Sequence, residues 1–359
     1  MADPRIEQYA ELLVERCVDV QPGWQVLVNA SPRAQPLVEE VLRRIARRGA
    51  YAILRVSFED IPGESAWAEE APEELLGMLP PAELHLWETI DSLVAIHAPE
   101  NLRDGASLPP ERQALLRKAM APVIPRLIGE EIRWVGCQYP TPALAQEAGM
   151  TLRQFEEFLY GACLLDWDAM RGDMERIAER FDAAETVRVV GAGTDVSFSL
   201  SGRNGKVDAL GANMPGGEVF YSPVEDSAEG VVDFCEYPTA RDGRELSGVR
   251  LRFEGGRIVE ATATANEEYL NKVLDSDDGA RRLGEFGIGC NPGIQRHMKN
   301  TLFDEKIAGT VHFAVGAGFP TLGGVNESAV HWDMVKDLRP GGGIWCDGEQ
   351  VQADGRWLF

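Results

Sequence analysis

Basic residues are scarce in this chain. Lysine and arginine number 35 against 58 aspartates and glutamates, a formal net charge of −23. That balance argues against nucleic acid and anionic membrane surfaces as partners, because both are recognised by basic patches. No apolar run approaches membrane-spanning length. The N-terminal MADPRIEQYAELL has neither a basic n-region nor an apolar h-region, so it does not read as a secretory signal. The six cysteines, Cys17, Cys137, Cys163, Cys235, Cys290 and Cys346, form no CxxC pair. Scattered cysteines of this kind read as reduced thiols, and the expected compartment is the cytoplasm. A GK[ST] phosphate loop and a GxSxG elbow are both missing. Gly191-Ala192-Gly193 and Gly316-Ala317-Gly318 lack the third glycine of a dinucleotide fingerprint, and with Gly341 to Gly343 they read as turns.

What is present suffices for two domains: 359 residues, of which 44% are hydrophobic. Ile6, Tyr9, Leu12, Leu13 and Cys17 recur at helical spacing. WQVLVN, from Trp24 to Asn29, reads as a strand. Ser31 stands where an N-cap belongs, with Pro32 at the first helical position. Leu37, Val38, Val41, Leu42 and Ile45 make one apolar face, and Gly49 stands at the C-terminal cap. A second strand runs from Tyr51 to Phe58. Strand–helix–strand order predicts right-handed parallel pairing, and Ser92 to His97 and Ile132 to Cys137 extend the series. The expectation for residues 1–165 is an α/β domain with an open, mostly parallel sheet. A helical stretch from Thr151 to Phe181 marks the connection. Beyond Val187 short strands dominate (VRVVG, VSFSLSG, VVDF, VRLRF, RIVEATA), with one helix at Asn266 to Asp275. Residues 166–359 therefore read as an α+β domain with a largely antiparallel sheet.

Only five histidines are available for chemistry. His85 and His97 lie in apolar segments and read as core residues, and His297 in IQRHMK as a surface one. His331-Trp332-Asp333 differs. On a strand, positions i and i+2 share a face, so His331 and Asp333 can reach one metal ion. His312 precedes them on an apolar run, and Glu218, Glu285 and Glu305 precede that. Carboxylate mixed with imidazole suits zinc, cobalt or manganese. A pair of ions ~3.5–4 Å apart needs several carboxylates, at least one of them bridging. Two histidines and four acids meet that demand, although spacing alone does not show that they converge.

Four ordered blocks carry these residues: GEVF–SPVEDS, GEFGIGCNP, TLFDEK–HFAVG and NESAVHWDMV. With the opening YAELLVERCVDVQPGWQVLVNAS they resemble, nearly end to end, the metallopeptidases of the aminopeptidase T and aminopeptidase S type. The resemblance implies an α/β N-terminal domain, a C-terminal domain carrying a two-metal site, and a homodimer. The implied ligands are Glu218, Glu285, His312, His331 and Asp333, with Glu305 as a sixth. The implied cofactors are two divalent ions (zinc, cobalt, manganese or magnesium), and the implied substrate is a peptide or small amide that loses its N-terminal residue. Glu285 is the expected proton shuttle as well as a ligand.

One departure stands out. The peptidases resembled here read GxAYP after the first histidine, and that tyrosine is held to stabilise the tetrahedral intermediate; this chain has Phe319 in its place. Loss of an oxyanion donor costs ~10²–10³ in turnover. Tyr221, three residues after Glu218, is the candidate replacement. Two other readings stay open at this point. One is a non-peptidase metalloenzyme on the same scaffold, either an amide hydrolase or a relative of the one-iron dihydroxypyridine ring-opening dioxygenases. The other is a non-catalytic protein that kept the site.

Overall fold

The computed structural model describes residues 3–59, 64–104, 108–129, 131–241 and 244–359. The chain divides into two compact units. One takes Met1–Leu164 with Leu210–Pro215, and the other Leu165–Ala209 with Gly216–Phe359. The short segment joins the first unit because its strand Asn213–Met214 pairs in parallel with Arg133–Gln138.

The first unit holds a five-stranded parallel sheet in the order Tyr51–Val56, Gln25–Ala30, Ser92–His97, Arg133–Gln138, Asn213–Met214. The inner parallel strands are shielded on both faces and read as near-continuous apolar runs. Val26, Leu27, Val28 and Val94 are accordingly fully buried, whereas edge strand Tyr51–Val56 leaves Tyr51, Leu54 and Val56 exposed. Helix Gln35–Arg47 covers one face with Leu37, Val38, Val41 and Ile45. Ser31 sits at the expected cap position, yet its hydroxyl makes no capping bond and accepts instead from the Ala98 amide at 3.1 Å. The expected core histidine His85 is exposed on helix Pro81–Thr89, where Trp87 takes the buried position. His97 is half-buried at a strand end.

The predicted helical connection is two helices. Leu152–Cys163 opens with a capping box between Thr151 and Gln154, and Trp167–Asp182 opens under the Asp166 side chain. The second unit then builds two large antiparallel sheets. The strands legible as short β-runs, from Thr186–Gly191 to Arg257–Thr262, enter an eight-stranded one. The other has five strands in the order His331–Asp337, Thr310–Gly316, Leu283–Gly289, Glu218–Tyr221, Lys206–Asp208. Its core face carries Phe286 and Phe313, which pack against Phe198 and Phe234 of the larger sheet at centroid distances of 4.8 to 6.3 Å. Every residue of Leu283–Gly289 and Thr310–Gly316 is buried, so the opposite face is covered too.

Candidate metal centre

That opposite face carries the acids and imidazoles. Side chains alternate along a strand, and the register places Glu285 opposite Ala314, Ala314 opposite Asp333, and His312 opposite Gly287. Glu218 pairs with Gly289 on the next strand. Glu218, Glu285, His312, His331 and Asp333 thus share one sheet face, and Glu305 joins them from the turn after helix Thr301–Asp304. Two sets have donor atoms within 4.8 Å of one another: Glu218, Glu305 and His312, and Glu285, His331 and Asp333.

Glycine makes the convergence possible. A Cβ at Gly287 would fall 1.9 Å from Cε1 and Nε2 of His312, so the imidazole lies directly across that residue. A β-bulge between Leu283 and Glu285 re-aims the strand where Glu285 leaves it. Ser222 braces the same spot. Its hydroxyl donates to the Gly284 carbonyl at 3.1 Å and accepts from the Phe319 amide at 2.8 Å.

Both histidines are held by their far nitrogens. Nδ1 of His312 lies 3.0 Å from the Glu305 carbonyl, and Nδ1 of His331 lies 3.0 Å from the Ala317 carbonyl. A carbonyl oxygen can only accept, so each Nδ1 carries a proton and a neutral ring presents a lone pair at Nε2. Those Nε2 atoms face carboxylates. His312 Nε2 is 3.3 Å from Glu285 Oε1 and 3.5 Å from Glu218 Oε2, and His331 Nε2 is 3.1 Å from Glu285 Oε2. His331 Nε2 and Asp333 Oδ1 are 3.8 Å apart. Glu218 Oε2 and Asp333 Oδ1 are buried with no hydrogen-bond partner. Lone pairs facing lone pairs, with carboxylate oxygens left over, are stable only with protons or cations between them, and anchored imidazoles among carboxylates are what a divalent cation requires. The residues fit a metal.

The titration shifts point the same way. Burial pushes Glu218 up to about 8 against the pull of Lys306. Burial and then Glu285 push Asp333 up to about 6. Burial opposes charge on His312, but the Glu285 and Glu218 carboxylates outweigh it and lift the ring to about 10. Burial likewise opposes charge on His331, which Glu285 and Asp333 raise to about 9. Burial would raise Glu285, yet the two facing imidazoles bring it down to about 2. The face holds more buried negative charge than its own cations neutralise.

Two expectations are corrected. Tyr221 is not at this site. On strand Glu218–Tyr221 the first and last residues point to opposite faces, and Tyr221 is buried against Phe181 with its hydroxyl 3.0 Å from Asp182 and 3.1 Å from the Ala178 carbonyl. His297 is not a surface residue. It stacks on Tyr237 at 4.7 Å and lies 3.2 Å from Asp304, and burial lowers it to about 4. Phe319 does border the centre, its ring 5.2 Å edge-on from His331 and 5.2 Å from Phe220. Sequence reasoning passes over Gly287, Ser222 and Lys306. The fully buried Lys306 ammonium lies 3.1 Å from Glu218 Oε1 and also contacts Glu305.

The family described as thermophilic metalloprotease (M29) matches residues 2–357. Aminopeptidase 2 of Geobacillus stearothermophilus is 28% identical over 423 residues, covering 99% of this chain and 98% of the relative. Aminopeptidase T of Thermus thermophilus is 28% identical, covering 98% of each. The solved structure of wild-type AmpT from Thermus thermophilus superposes with a TM-score of 0.84 at 25% identity, over 99% of both chains. A match that runs the length of the chain, on a fold shared throughout, places this protein in the thermophilic metalloprotease family M29, among metal-dependent hydrolases.

Proposed function

We propose that this chain is a metal-dependent aminopeptidase that releases N-terminal residues from peptides, with two divalent cations held by Glu218, Glu305 and His312 and by Glu285, His331 and Asp333. The observation that carries the reading is the pair of Nδ1-anchored imidazoles whose Nε2 atoms face Glu285 from either side. A carboxylate with one oxygen toward each group is suited to bridge them. Bound divalent cations supply Lewis acidity, which acidifies a water and polarises the scissile carbonyl.

The chain's own residues do the positioning. The Glu305 and Ala317 carbonyls keep each imidazole in one tautomer, and Gly287 lets His312 lie flat against the sheet. His331, with a third of its side chain exposed, is the open side of the centre, and Phe319 walls it there. Glu305 and Asp333, one donor from each group, also line a small cleft with Thr239 and Val335. Glu285 is assigned the bridge first. The proton-shuttle role requires one of its oxygens to release its imidazole.

The aminopeptidase relatives favour hydrolysis, and the ring-cleaving alternative has no observation in its favour. Carboxylate and imidazole donors suit zinc, cobalt or manganese before magnesium. The homodimer implied by the resemblance and the cytoplasmic setting expected from the scattered cysteines belong to the same proposal. The test is release of free amino acids from dipeptides, with metal analysis alongside. Expected are loss of release on chelation, recovery on adding back zinc, cobalt or manganese, and no release from N-acetylated substrates. Equal rates on blocked and free N-termini would sink the aminopeptidase reading.

A further inference from the structure

Lys306 sits among the donors of one group and cannot itself be a donor. Its ammonium has three protons and no lone pair. It lies 3.1 Å from Glu218 Oε1 and contacts Glu305 Oε1, so it touches both carboxylates of the Glu218–Glu305–His312 group. The lysine is fully buried, and its backbone is held in place. Its carbonyl accepts from the Asn291 amide at 2.9 Å. The neighbouring Ile307 carbonyl crosses Gly289 so closely that a Cβ there would come within 2.1 Å. With its side chain 0 % exposed, the ammonium cannot withdraw to solvent when a cation arrives. The other group is differently equipped. Among the described residues, the ion pairs of Glu285 and Asp333 are with His312 and His331, and neither carboxylate is paired with lysine or arginine.

We propose that Lys306 makes the two cation positions unequal: Glu285, His331 and Asp333 hold a resident cation tightly, while Glu218, Glu305 and His312 hold a weaker, exchangeable one. The inference rests on the two-cation reading above and deepens it. Glu218 and Glu305 both have the Lys306 ammonium in direct contact, and the buried Asp208 shares that cation from the same side, so the contact rather than the net charge sets this group apart. A fixed like charge in contact with two of three donors repels an incoming dication, and burial removes the water that would screen that repulsion. Lys306 also occupies Glu218 Oε1, so Glu218 offers the cation only its unpartnered Oε2, 3.5 Å from His312 Nε2. The position beside Glu305 and His312 thus faces a fixed like charge and has one carboxylate oxygen already taken.

The experiment titrates the metal-free protein with cobalt(II) by equilibrium dialysis and reads occupancy by mass spectrometry. Two steps are expected, separated roughly ten-fold or more in Kd, a ratio equivalent to about 1.4 kcal/mol. Glu305→Gln removes the weaker step and Asp333→Asn the tighter. Lys306→Met, which keeps the length and removes the charge, tightens the weaker step about ten-fold and leaves the tighter one in place; Lys306→Arg keeps them apart. Two equal steps in the unaltered protein overturn the proposal. So does a Lys306→Met protein whose weaker step is unchanged or weaker still, the result of a purely orienting lysine. If the methionine variant does not fold, Lys306→Gln replaces it, and the step assignment by Glu305→Gln and Asp333→Asn decides independently. Uptake of no cobalt at either group instead overturns the metal reading itself, a result distinct from equal uptake.

Discussion

Among the described residues there are two five-stranded sheets, and they use burial in opposite ways. In the first unit the parallel strands Gln25–Ala30 and Ser92–His97 bury valine, leucine and isoleucine, and their polar residues gather at strand ends. In the second unit the antiparallel strands Leu283–Gly289 and Thr310–Gly316 are buried from end to end, yet each carries a titratable residue inside its run, Glu285 and His312. Parallel pairing needs crossover helices that occupy both faces. Antiparallel pairing leaves one face free to collect side chains from adjacent strands in register. Chemistry in the middle of a sheet face, rather than at its edge, follows from that topology.

Breaking the shared carboxylate is expected to have the largest effect. Glu285→Gln removes the charge that both imidazoles face and should bring peptide release to background with loss of bound metal, while far-ultraviolet circular dichroism stays that of the folded protein. Gly287→Ala comes next. Its methyl group would occupy the place of the His312 ring, so metal content should fall, and overpacking should cost about 1–3 kcal/mol in a denaturant melt. Phe319→Tyr should act in the other direction and raise kcat by part of the ~10²–10³ that an oxyanion donor is worth; an unchanged kcat would show that position 319 only walls the centre. Leu27→Ala, in the parallel sheet, should cost about 2–5 kcal/mol of stability and leave metal stoichiometry intact. Tyr221→Phe should be the mildest. It loses a buried hydrogen bond to Asp182 worth about 1 kcal/mol, with kcat and KM unmoved.

Four strands of the parallel sheet are legible in the sequence, because they are mostly apolar runs with a well-marked helix between the first two; the fifth, Asn213–Met214, is too short to carry a pattern. The HxD pair is legible as well, since i and i+2 share a strand face. The convergence of Glu218, Glu285 and His312 is not, because it depends on the register of separate strands and on a bulge that no local pattern announces. Their assignment rests on resemblance. Tyr221 is misplaced by sequence reasoning although the signal is present: an odd offset from Glu218 on a strand puts the ring on the other face. Lys306 escapes notice because a lysine in TLFDEKIAG reads as a solvated charge, and only the approach of Glu218 from another strand makes it an interior one. His85 misleads for the converse reason, since a helix in an apolar segment still has an outer side and Trp87 claims the inner one.

The two main-chain anchors of the imidazoles carry a consequence for how this centre can drift. A histidine oriented by a carboxylate side chain loses its tautomer when that one residue is substituted. Here the accepting atoms are the carbonyl oxygens of Glu305 and Ala317, which persist whatever side chains those positions bear. Ala317 is therefore free to vary while it continues to hold His331. At position 305 the carboxylate can be lost without releasing His312, so one half of a residue's contribution to the centre can be inherited without the other.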